Sequence, residues 1–285
     1  IRLSLVGSEM CIRDRNLRAA GVSEYEKIDL QAYEKQAGVD LSKYVSYRFF
    51  YTSDDLKIEA FLSAPIDLLG KKKSPCLIYN HGGNRSYGAL KNVETTYYAY
   101  QFHTICVASN YRGCGKSEGT DAFGGDDVHD VIHLLDLCEK LNSVDTKNIN
   151  MFGVSRGGMM TYETLREDRR IHKAVVVAGV ADCTMNYEER EDMRSLLTEL
   201  IGGTPEQLPE EYSRRSAVAW ADEINTPLLI FHTTGDDKVS IKQADKLVKQ
   251  LKKNQKDYEY VTFESNIHGD LRKTDVEKIR KWLQT

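Results

Sequence analysis

The sequence predicts an α/β fold with a doubly wound, mostly parallel sheet, and three observations carry that prediction. Short apolar runs recur without strict alternation, as in strands covered on both faces. Helix-length segments separate them, the strand–helix repetition that a parallel sheet requires. The chain has 285 residues, 41% hydrophobic and 29% charged, enough to bury a sizeable core within one α/β domain.

The elements follow in order. Residues 24–38 (EYEKIDLQAYEKQAG) read as a charged, weakly amphipathic helix ended by Gly38. VSYRFFYT (45–52) and LKIEAFLSAP (56–65) flank Ser53-Asp54-Asp55, which predicts an N-terminal β-hairpin. Buried strands are expected at 75–80, 104–109, 149–154, 173–179, 227–233 and 258–264, with helices at about 86–101, 126–141, 156–168, 241–253 and 273–284. After residue 179 the rhythm breaks. A helix at 187–201, the stretch GGTPEQLP (202–209) and a second helix near 211–223 make an insertion over about 181–222, expected to form a lid or pocket wall. Residues 1–15 (IRLSLVGSEMCIRDR) begin without Met and show neither an amphipathic period nor a signal-peptide core. They resemble translated adapter read-through and are read as non-native or disordered, with a single domain over 16–285.

Bulk properties exclude some classes. A net charge of −4 gives no reason to expect a nucleic-acid partner, and the Lys run at 71–73 reads as a solvated turn. No apolar run approaches the ~20 residues of a membrane span. The six cysteines show no CxxC pair, and Cys76 and Cys106 lie in apolar runs as buried thiols, so a reducing, cytoplasmic setting is expected. No cofactor or metal is called for. His129 and His133 stand four apart, but HDVIH lacks the Glu of HExxH, so they read as solvated or capping histidines. The acids of GGDDVHD (124–130) suit the first turn of a helix. The sequence fixes no oligomeric state.

The chemistry centres on GVSRGG (153–158), which follows the strand INMF and precedes the helix-compatible MMTYETLRE. This is the context of a GxSxG nucleophile elbow. Ser155 would stand at a helix N-terminus above the carboxyl end of the sheet, with the Arg156 N–H facing a developing oxyanion. A weak alcohol nucleophile needs a base, and the base an orienting acid, in the chain order Ser, Asp or Glu, His of the α/β-hydrolase fold. Three histidines follow Ser155. His172 precedes a strand, His232 lies inside one, and His268 sits in the loop SNIHGD beyond the last apolar run, which makes it the base. PLLIFHTTGDDKVS (227–240) offers Asp236 and Asp237 as the acid, each also able to cap the following helix. YNHGGNRSYG (79–88) follows a strand, and Gly83 or Asn84 would supply the second oxyanion N–H.

HGGN (81–84), NYRGCGKSEG (110–119), GVSRGGMMT (153–161), GDDKV (235–239) and IHG (267–269) together resemble the catalytic domain of the prolyl oligopeptidase family of serine hydrolases, from about residue 45 onward. The family's acid stands three residues before a Val, which implies Asp236. The resemblance implies cleavage of a peptide, ester or acyl bond of a small-molecule or short-peptide substrate through an acyl-enzyme, without a cofactor. Two departures bear on the substrate. The chain has no room for the β-propeller that precedes this domain in family peptidases, and His81 stands where several relatives carry an oxyanion-assisting Tyr. A carboxylesterase or deacetylase is the alternative, and a non-catalytic binding protein the more distant one.

Overall fold

The computed structural model describes residues 16–18, 20–70 and 72–284, with residues 16–18 helical ahead of the strands and helices named below. The expectation for residues 1–15 lies outside them, as does Lys71. In chain order the strands are β1 (Tyr25–Ile28), β2 (Tyr44–Ser53), β3 (Leu56–Pro65), β4 (Ser74–Asn80), β5 (Ile105–Ser109), β6 (Val144–Val154), β7 (Ala174–Val177), β8 (Leu228–Thr233) and β9 (Tyr258–Phe263). They form one sheet in the order β1-β2-β3-β5-β4-β6-β7-β8-β9. The first four in that order pair antiparallel, and β5 through β9 pair parallel.

The helices are α1 (Gln31–Ala37), α2 (Asn92–Phe102), α3 (Val128–Lys140), α4 (Arg156–Glu167), α5 (Cys183–Glu189), α6 (Glu191–Ile201), α7 (Pro209–Arg214), α8 (Ile241–Lys253) and α9 (Lys273–Gln284). Because side chains alternate along a strand, neighbouring residues feed opposite layers. Cys76, Ile78, Met151 and Val176 pack with Leu134, Leu165 and Leu247 of α3, α4 and α8. Leu77, Phe152 and Val177 pack with Phe102 and Ile279 of α2 and α9. The doubly wound α/β fold follows from this layering.

The differences from expectation are local. Residues 24–38 are not one helix: Tyr25–Ile28 pair antiparallel with Ser46–Phe49 as the edge strand β1, and only Gln31–Ala37 coil. The pattern EYEKI suits a helix face or a half-exposed edge, and pairing with β2 decides for the edge. Helix α2 starts at Asn92, because residues 83–88 form a turn closed by the reciprocal bonds of Asn84 and Tyr87 (both 2.9 Å). Strand β6 starts five residues early, at Val144, across an irregularity opposite β4. In the insertion, the helix expected at 187–201 breaks at Arg190 into α5 and α6. The helix near 211–223 ends at Arg214 and continues as two short 3₁₀ turns. No helix among the described residues is long and apolar enough to cross a membrane.

Candidate active site

The loops after β4, β6, β8 and β9 meet at the carboxyl edge of the sheet, the place where open α/β sheets hold ligands. Ser155 joins β6 to α4 with φ 58° and ψ −125°, a backbone conformation strained for a residue with a Cβ. Close packing holds it there. A Cβ on Gly153 would run into the Gly157 carbonyl and the Thr161 hydroxyl, and one on Gly157 into the carbonyls of Asn80 and His81. The elbow glycines therefore seat α4 directly on the end of β4.

Arg156, the first residue of α4, has no intrahelical acceptor for its N–H. Its side chain turns inward, 1% exposed, an arrangement that sequence reasoning missed. The guanidinium bonds Asp121 (2.7 Å) and Asp127 (2.6 Å), donates to the Gly83 carbonyl (3.1 Å), and lies near the rings of Tyr111 and Phe123. Burial disfavours its charge, but the two carboxylates outweigh this and hold the guanidinium firmly protonated. Asp127 does stand in a first turn, at the entry to α3, and is also a buried counterion. The remaining acids of that segment are also engaged: Asp126 pairs with Arg214, and Asp130 with Arg112 and Ser53.

On the loop after β4, Gly83 has φ +82°, and a Cβ there would strike the Tyr87 carbonyl. Asn84 spends its N–H on Tyr87, which leaves Gly83 as the backbone donor of the two. His81 stacks on Tyr111 with ring centroids 4.3 Å apart and donates from Nδ1 to the Gly82 carbonyl (2.7 Å). Burial lowers its pKa to about 4.

Asp236 follows β8. Its carboxylate accepts the N–H groups of Lys238 (2.9 Å) and Val239 (3.0 Å) and receives His268 Nδ1 at 2.8 and 3.0 Å. Burial raises its pKa, but the bonds from His268, Val239 and Lys238 outweigh that and hold it below the ordinary value. Asp237 is exposed and pairs with its neighbour Lys238. Of the other histidines, His232 lies 3.6 Å from Asp236 and bonds the Val239 carbonyl (2.8 Å), behind the acid loop. His172 stays at the start of β7. His129 and His133 bond Asp54 and Ser53, which ties the hairpin turn to α3.

Ser155, Gly83, Asn84, Arg156 and His268 line one pocket of about 510 Å³. No hydrogen bond joins the Ser155 hydroxyl to the imidazole, an alignment that catalytic groups often complete only with substrate. The insertion roofs the pocket with α5 and α6. Arg85 on the loop after β4 pairs with Glu199 (2.6 Å). Arg190, at the α5–α6 break, is clamped by Asp192 (2.7 and 2.8 Å) and donates to the Lys238 carbonyl (2.6 Å).

With this geometry in place, comparison with known proteins is informative. The profile of the prolyl oligopeptidase family matches residues 92–285. An uncharacterized peptidase of Bacillus subtilis (strain 168), YtmA, is 30% identical over 242 residues, which span 84% of this chain and 93% of that protein. Dipeptidyl aminopeptidase B of Saccharomyces cerevisiae is 29% identical over 196 residues, 63% of this chain and 23% of its own. Among solved structures, Pyrococcus horikoshii acylaminoacyl peptidase superposes with a TM-score of 0.73 at 22% identity, covering 90% of this chain and 42% of its own. The chain therefore spans nearly all of one relative and less than half of the larger peptidases. The shared architecture is the α/β-hydrolase fold.

Proposed function

The chain belongs to the prolyl oligopeptidase family, and from that premise we propose that it is a serine-type peptidase acting through Ser155, His268 and Asp236. The observation that carries the reading is the paired contact of the Asp236 carboxylate with His268 Nδ1, on an imidazole that shares the pocket with Ser155.

In this reading His268 Nε2 takes the hydroxyl proton as Ser155 Oγ attacks the scissile carbonyl carbon. Asp236 holds the tautomer and stabilises the imidazolium that forms. The N–H groups of Arg156 and Gly83 bind the tetrahedral oxyanion. The imidazolium then protonates the leaving amine, and water, activated by the same imidazole, releases the acyl-enzyme. Substrates are small molecules or short peptides that fit beneath α5 and α6. Five buried free thiols (Cys76, Cys106, Cys114, Cys138, Cys183) support a reducing, cytoplasmic setting.

A fluorophosphonate is expected to label Ser155 and to leave Ser155→Ala unlabelled, read by peptide mass mapping. His268→Ala is expected to lower kcat by about 10⁴-fold; a loss of tenfold or less would mean that another group is the base. Peptide anilides assayed beside p-nitrophenyl esters decide the substrate class: esters turned over with no anilide hydrolysis would replace the peptidase by an esterase.

A further inference from the structure

One wall of the pocket is hydrocarbon. Phe123, Val180, Met193 and Val239 belong to a third apolar cluster at the base of the insertion and face the space above Ser155. An uncharged polar side chain from α5 borders the same space. Asn186, on α5, is 3% exposed and lines the same pocket. Its backbone carbonyl accepts the Arg190 N–H, yet among the described residues no hydrogen bond reaches its side-chain amide.

Asn in a helix usually bonds nearby backbone. Here it makes no such bond, and since neither amide atom is wholly buried without a partner, the amide keeps a small solvent contact where the side chain borders the pocket. Burying an amide without a partner costs free energy, and a Leu of nearly the same shape would complete the apolar wall without that cost. The charged neighbours leave the amide to itself: Arg190 is occupied by Asp192 and the Lys238 carbonyl, and Lys238 Nζ by Asp237.

We propose that Asn186 is a specificity residue. It selects substrates whose side chain next to the scissile carbonyl ends in an uncharged hydrogen-bonding group, an amide or a hydroxyl, over hydrocarbon of the same size. Water can satisfy the amide in the empty pocket. A hydrocarbon side chain expels that water and replaces it with nothing, whereas a polar one restores both bonds; sites of this kind discriminate steeply. The inference rests on the serine-peptidase reading, since the pocket receives an acyl side chain only if Ser155 attacks.

The test uses acetyl-amino-acid p-nitroanilides in near-isosteric pairs, Asn against Leu and Gln against Met, with the wild type and Asn186→Leu. Wild-type kcat/KM is expected to favour the polar member at least tenfold, and the ratio to fall to one or below in Asn186→Leu. A wild-type ratio of one or less overturns the proposal and needs no variant; so does an Asn186→Leu enzyme that keeps the wild-type ratio. The Leu variant is also expected to melt at or above the wild-type temperature, whereas a structural role for the amide would lower it. Wild-type turnover of p-nitrophenyl acetate, abolished by Ser155→Ala, reports the nucleophile separately. With that turnover present, a flat ratio sinks the specificity alone; without it, the peptidase reading falls as well.

Discussion

At the scale of single residues, the candidate site depends on contacts too close for substitution. Gly157 sits against the carbonyls of Asn80 and His81, so Gly157→Ala must push α4 off the end of β4. It is expected to destabilise by about 2 kcal/mol or more and to cut kcat further than the folded fraction explains, checked by thermal melts beside active-site titration. Asp236 makes a second prediction. Its pKa is held below the ordinary value of 3.8, so the stability it contributes is complete above that value and is lost as pH falls through the lower, folded one. Asp236→Asn should therefore cost stability at pH 7, and the cost should shrink as pH is taken progressively below 3.8, by melts across that range. The residues of the proposed machinery were legible in the sequence because each is marked by its neighbours: Ser155 by two glycines, His268 by its place after the last strand, and Asp236 by Val239 three residues on. The inward role of the Arg156 side chain was not, because Asp121 lies 35 residues away and nothing local announces the pair.

Among the elements, those with strong apolar patterns were readable and those set by partners were not. Strands β4 to β8 carry apolar runs buried on both faces because helices cover both, and β9, the edge strand with no fully buried residue, was marked by its aromatic and β-branched residues. Strand β1 carries only Tyr25 and Ile28 as apolar residues, and its identity comes from the free edge of β2. The break at Arg190 is held by Asp192 in the first turn of α6 and, outside the helix, by the Lys238 carbonyl. Through Lys238, whose N–H bonds Asp236, this clamp links the roof of the pocket to the loop carrying the acid. Arg190→Ala is expected to lower kcat/KM for peptide anilides by about tenfold, roughly 1.4 kcal/mol, with a much smaller loss on p-nitrophenyl acetate, which needs no roof. Equal losses on both substrates would show that the clamp serves the triad alone. The exposed Arg85–Glu199 pair on the other side of the mouth should contribute ~1 kcal/mol or less.

For the molecule as a whole, stability and site share one buried ionic network. Next to Asp127 and Arg215, Glu163 receives the Gly125 N–H on Oε2 (3.0 Å) while Oε1 has no partner. Burial, partly offset by Arg215 and the Gly125 N–H, pushes its pKa up to about 8. Between 4.5, the value for the unfolded chain, and about 8, the folded protein keeps a proton that the unfolded chain has released, so stability falls as pH rises through that window. Glu163→Gln is expected to melt several degrees above wild type at pH 8.5, with the gap closing at pH 4; a gap of the same size at both would reject the assignment. The seat of Gly157 on Asn80 has one more consequence. Alcohol and amide donor are bolted to a common block, whereas the imidazole arrives on a separate arm whose tip, Ile267, is 65% exposed. Misalignment under heat, pressure or mutation should enter from that arm, so on warming His268 should lose its register with Ser155 before α4 lifts from the loop after β4.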